Sequence, residues 1–196
     1  IVARWNDQSH YTLGLGWLVM GTQRSPYYYG TSGNGRGGSM GSLAYAFDLI
    51  APHLTEQELQ EIIKGFFLPV GIQSRNHYIG DGNQQMTADL TAMYAGIVSR
   101  NWPLVSFAYS SEHGLMDVLE WSFDDDGVQL RKNYQTYTMR PVLWALDLLH
   151  GTGLDIYKKH AKRLAQIVHA DTQSKSQGAP FEDLRYWEFV QDRRLK

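Results

Sequence analysis

Thr138-Met139-Arg140-Pro141-Val142-Leu143-Trp144-Ala145-Leu146-Asp147-Leu148-Leu149-His150-Gly151 is a strongly apolar run with the period of an α-helix. Val142, Leu143, Ala145, Leu146, Leu148 and Leu149 fall in one broad stripe, and Gly151 is the residue type that most easily makes the left-handed turn closing a helix. Leu154 to about Ala170 repeats the pattern, with Ile156, Ala161, Leu164, Ile167 and Val168 as its stripe. Two such helices on so short a link form a hairpin. Toward the N-terminus the chain gives more helices. One starts at Ser42 and ends before Pro52. Thr55-Glu56-Gln57-Glu58 is a capping box, which opens a helix through about Phe67 with Leu59, Ile62, Ile63 and Phe66 on one side. Further helices are expected at about 86–99, with the stripe Leu90, Met93, Tyr94 and Ile97, from Pro103 to about Tyr109, at about 112–121 and at 182–191. No segment sustains the alternation of a strand. The fold class is therefore all-α, helix hairpins in a single domain over 1–196.

Between the helices, loops are expected at 21–41, 71–85, Val128–Tyr137 and 171–180. The glycines between 30 and 41 oppose regular structure, and loops this long are usually functional or disordered. The first two, rich in Gly, Asn, Arg and Tyr, read as one wall of a cleft. Composition narrows the function. Apolar residues at 43% and charged residues at 19% are globular values, which excludes disorder, collagen and coiled coil. A net charge of -2 gives no bulk field for nucleic acid, so no such partner is expected. With no cysteine there are no disulfides and no thiol nucleophile, and no apolar run is long enough to span a bilayer. Twelve Tyr and six Trp beside many amides suit a sugar cleft, where rings stack on pyranose faces; an aromatic-rich helical core explains them equally well.

Three segments carry candidate chemistry. Asn76-His77 and Asn83-Gln84 lie just before a helix, where amides could donate to a substrate carboxylate as in an oxyanion hole; they would equally satisfy loop backbone and cap the helix. Tyr134 and Tyr137 lie near Arg131 and Arg140. A free phenol has a pKa of about 10. Cations nearby favour the phenolate, which could act as a base; rings packed on a helix are the competing reading. Gly35-Arg36-Gly37-Gly38 has no strand before it and no Lys-Ser/Thr after it, so it suits an Arg offered to an anionic sugar better than a nucleotide loop. The acidic group Glu120, Asp124, Asp125 and Asp126 could serve a glycosidase or bind calcium, but reads best as a solvated turn. The histidines lack zinc spacing, so no metal is expected.

Together these segments resemble the helical-toroid polysaccharide lyases, most closely the chondroitin/hyaluronate/xanthan lyase family, with the heparinase and alginate lyase families next. Gly82-Asn83-Gln84, followed by a helix and Leu104-Val105-Ser106-Phe107-Ala108, is similar to the family's catalytic-asparagine segment. Asp126-Gly127 through Asn133-Tyr134-Gln135-Thr136-Tyr137 is similar to its Asp-Gly…Asn-Tyr-x-x-Tyr segment, and Gly35-Arg36-Gly37-Gly38-Ser39 to its cleft-lining Gly-Arg segment. Their order and the Asn-to-Tyr separation agree. One departure is that no His lies between 114 and 149, where the family has one shortly before its catalytic Tyr.

The resemblance implies a partial (α/α) toroid and β-elimination on a uronate polysaccharide. Tyr137 would be base then acid, and Asn83 or the pair Asn76-His77 the carboxylate neutraliser. Arg131 or Arg140 would lower the Tyr pKa. Arg36, Asn76, Gln84, Tyr134, Arg140 and Trp102 would bind substrate, with Trp5 a further stacking candidate. It implies no cofactor, a secreted or periplasmic enzyme, and a β-sandwich domain elsewhere in the protein. The chain starts Ile1-Val2-Ala3-Arg4-Trp5 and reads as a piece of something longer. Two alternatives remain: a glycosidase on a similar toroid using Glu120 and Asp126, and a non-catalytic sugar-binding module.

Overall fold

The structure, a computed structural model, describes residues 36–76, 82–128, 130 and 135–175. The described residues are mostly helical, with no strand among them. α1 is Arg36–Ile50 and is followed by a short 3-10 turn, Ala51–His53. α2 is Glu56–Ile62, continued by a π-turn, Ile63–Phe67, into α3, Leu68–Arg75. α4 is Asn83–Val98, α5 Trp102–Ser110 and α6 Leu115–Trp121. α7 is Gln135–Leu149 and α8 is Ile156–Lys175.

α4 is the hub. It packs against α1, α3, α5, α6 and α7. No residue of it is exposed, so its burial is not confined to the expected stripe. Thr87 and Thr91 tolerate this because each hydroxyl donates to the carbonyl one turn back, Asn83 O at 2.7 Å and Thr87 O at 2.9 Å. Glycines let the neighbours close in. A Cβ on Gly71 of α3 would lie 2.6 Å from Ala95 Cβ and 2.7 Å from Leu104 Cδ2.

Several boundaries differ from the sequence reading. α1 starts at Arg36, inside the expected 21–41 loop. Its glycines cost helix propensity, about 1 kcal/mol each against Ala. Tertiary packing overrides that cost: Met40, Leu43, Ala44, Phe47 and Ile50 are buried, and Gly41 lies against the Tyr94 ring, which an added Cβ would meet at 2.9 Å. The Thr55–Glu58 capping box forms as expected, with Thr55 N donating to Glu58 Oε2 at 2.8 Å and Glu58 N to Thr55 Oγ1 at 3.3 Å. The helix it opens does not stop at Phe67 but runs on through α3. Pro69 has no N–H to offer the preceding turn, and the chain widens there into a π-turn in which Leu68 N–H reaches Ile63 O. That turn faces Phe66 and Phe67 inward together, and Phe67 meets Phe47 at 5.2 Å between ring centroids.

The expected 71–85 loop is shorter, because 71–75 belong to α3 and 83–85 to α4. α6 starts at Leu115 rather than 112, after His113 adopts φ 65° and its N–H bonds Asp117 Oδ2 at 3.2 Å. α7 starts at Gln135, so Tyr137 is helical and not part of the irregular stretch. Gly151 closes α7 as expected, at φ 73°. Asp155, buried, accepts from Gly151 N at 2.8 Å and Tyr157 N at 3.0 Å, which holds its carboxyl below the usual range and fixes the corner into α8. α8 continues to Lys175, five residues into the expected loop at 171–180. It is kinked at His160 (φ -130°, ψ 27°), and this phase break leaves Ala161 exposed instead of in the buried stripe. The helix expected at 182–191 lies outside the described residues.

Candidate functional site

Asn83 is the first residue of α4, and its side chain is 4% exposed. Gly82 before it has φ 139°, a conformation glycine adopts without strain, so the turn that delivers Asn83 depends on that glycine. The first turn of α4 contains no acidic residue, and the N–H groups there carry the partial positive charge of a helix N-terminus. Gln84 is half-buried, and Gln85 is buried with its Nε2 donating to Asp89 Oδ1 at 3.0 Å.

Tyr137 and Arg140 stand in the first two turns of α7, on either side of the fully buried Thr138. Pro141 has no N–H to give the Tyr137 carbonyl, which loosens the helix at that point. Arg36 is the first residue of α1. α1, α4 and α7 pack against one another, so the helices headed by Arg36, Asn83 and the Tyr137 turn are mutual neighbours. Of the other described candidates, Gln84 follows Asn83 on α4, whereas Asn76 and Trp102 stand on other helices. Asn76 is exposed at the end of α3, on a shallow hollow of about 670 Å³ that Lys64, Leu68, Ile72 and Gln73 also line. Trp102 is 61% exposed at the start of α5. His77, Arg131, Tyr134 and Trp5 lie outside the described residues.

Within the acidic group, the carboxylates of Asp124 and Glu120 have structural partners. Asp124 Oδ1 accepts from Asp126 N at 3.1 Å and Val128 N at 2.8 Å, which shapes the turn. Gly127, at φ 81°, brings that turn against the α8 backbone, where a Cβ would lie 2.4 Å from Gln166 C. Arg163 ties the turn down by donating to the carbonyls of Glu120, Phe123 and Asp124 at 2.6–2.8 Å. Glu120 sits beside Arg163 Nε at 3.6 Å and His160 Nδ1 at 3.5 Å. No group of three or more His, Asp or Glu among the described residues could hold a metal ion. No helix among them is long and apolar enough to cross a membrane.

The sequence reading missed Asp89. It is 4% exposed, and Oδ2 finds no hydrogen-bond donor among the described residues. Burial pushes its carboxyl well above the usual carboxylate range, against a smaller downward pull from the Gln85 amide. The one available signal was its i, i+4 spacing from Gln85 in a helix rich in other polar residues. Compared with protein-family models, with curated proteins and with solved structures, the chain gives no match.

Proposed function

We propose that the chain is the helical part of a polysaccharide lyase that cleaves a uronate-containing polysaccharide by β-elimination. The observation that carries this reading is the packing of α1, α4 and α7, whose first turns bear Arg36, Asn83 and Tyr137. The C5 proton of a uronate is alpha to a carboxylate and only weakly acidic. Asn83, at the head of α4, whose first turn holds no acidic residue, donates to that carboxylate and spreads the charge that develops. Tyr137 removes the C5 proton and then protonates the departing glycosidic oxygen. Arg131 or Arg140 favours the phenolate and holds substrate anions. His77, Asn76, Gln84, Tyr134 and Trp102 take supporting contacts along the chain. No metal or organic cofactor has a step in this scheme.

The reading extends the fold to a partial (α/α) toroid. The packing of α4 against α1, α3, α5, α6 and α7 supports that extension. It also carries a β-sandwich domain as a partner and a secreted or periplasmic location. The glycosidase alternative is weakened on one of its two carboxylates, because Glu120 is ion-paired with Arg163 and sits beside His160. The deciding experiment is ultraviolet absorbance of the unsaturated product over a panel of uronate polysaccharides, with and without chelator. A rise that survives the chelator supports the proposal. New reducing ends without absorbance would replace it with glycoside hydrolysis, and binding without turnover would replace it with a sugar-binding module.

A further inference from the structure

From Ile156 to Ala170, α8 carries Lys158, Lys159, Lys162 and Arg163 and no Asp or Glu, in a chain whose net charge is -2. The run Lys158-Lys159-His160-Ala161-Lys162-Arg163 has the density of a polyanion-binding patch. The three lysines are exposed. Lys158 and Lys162 have no acidic partner within ion-pair distance among the described residues, and Lys159 Nζ sits over the Tyr109 ring at 5.3 Å. Arg163 is committed to the carbonyls beneath it and so forms a fixed base for the patch. At the His160 kink a hollow of about 560 Å³ lies beside the run, lined by Lys159, His160, Lys162 and Arg163 together with Glu120 and Asp125.

We infer that this face of α8 is an accessory binding surface for an anionic polysaccharide, carried on a different helix from those that bear Asn83 and Tyr137. The choice of polymer rests on the lyase reading; the basic surface does not. Charge density favours a polysaccharide over nucleic acid. Duplex DNA carries a charge about every 1.7 Å, which the carboxylates of Glu120 and Asp125 would oppose strongly. A uronate chain carries one carboxylate per uronate unit and can place it over a lysine while the acids face sugar hydroxyls. The exposed part of the run also offers no aromatic platform for bases.

The test compares Lys158→Gln/Lys159→Gln/Lys162→Gln with its parent, both in a Tyr137→Phe background so that no chain is cut. Labelled chondroitin sulfate and alginate are titrated by fluorescence anisotropy over a range of salt. The triple variant is expected to keep its unfolding midpoint, bind roughly tenfold or more weakly at low salt, and show a salt dependence shallower by about two counterions. Equal affinity in the two proteins overturns the inference. Displacement of the polysaccharide by DNA at equal charge concentration overturns it in favour of a nucleic-acid surface. Lysine-dependent binding of chains that the unsubstituted enzyme never cleaves would support this surface while removing the lyase reading, so the two fail separately.

Discussion

Tyr137 and Asn83 carry the proposed chemistry through one hydroxyl and one amide. Tyr137→Phe is expected to abolish formation of the unsaturated product while polysaccharide affinity is kept; substantial residual turnover would remove Tyr137 from its role. Asn83→Ala is expected to lower kcat by about 10²–10³, the size of losing one oxyanion-type donor. Asn76→Ala, on the exposed end of α3, should leave kcat nearly unchanged, and the reverse outcome would move the neutralising role to Asn76-His77. Asp89 is a matter of proton linkage. Its folded pKa is raised, so the folded state keeps a proton that the unfolded chain gives up, and stability falls as pH rises from the ordinary carboxylate value toward the folded one. Asp89→Asn keeps an acceptor for Gln85 and cannot ionise. It should therefore gain stability relative to the parent as pH rises from about 4 to 7, read from urea midpoints. Parallel pH profiles would mean that Asp89 ionises normally. The place of Asn83 at the head of a helix was legible because a Gly-Asn-Gln turn before a helix is a local pattern. Asp89 was not, because a Gln85–Asp89 pair looks the same in sequence on an exposed face and on a buried one.

Among the elements, the capping box and the Gly151 closure were read correctly, since each is decided by residues within one turn. The start of α1 and the length of the α2–α3 helix were misread for the opposite reason. Gly37, Gly38 and Gly41 argue against helix by propensity, and it takes the distant Tyr94 ring to make Gly41 useful there. The helix continues past Phe67 because the π-turn accommodates Pro69. Glycine substitutions separate the two kinds of site. Gly71→Ala should cost about 1–3 kcal/mol, because the methyl group has no room between Ala95 and Leu104. Gly65→Ala, in open space on the π-turn, should stabilise by up to about 1 kcal/mol through helix propensity alone. Chemical denaturation of both variants checks the pair, and similar values for the two would show that α3 does not pack through Gly71.

At the scale of the whole molecule, the described helices differ in how much of themselves they bury. α4 has no exposed residue, whereas α2 has no buried one. Amide exchange should follow that order, with α4 protected up to the global unfolding free energy and α2 opening locally well before it. Mass-spectrometric hydrogen exchange measures this directly, and equal protection in the two helices would contradict the hub arrangement. The walls around α4 also differ in where they come from. α3 and α5 adjoin it in sequence, while α1 and α7 are separated from it by other helices. Loops between sequence neighbours close at little entropic cost, and contacts across longer separations form later. α3, α4 and α5 are therefore expected to assemble first, with α1 and α7 docking later. The helices that carry Arg36 and Tyr137 join α4 only in that later step, so a refolding chain is expected to regain its helical signal before α1, α4 and α7 are packed together.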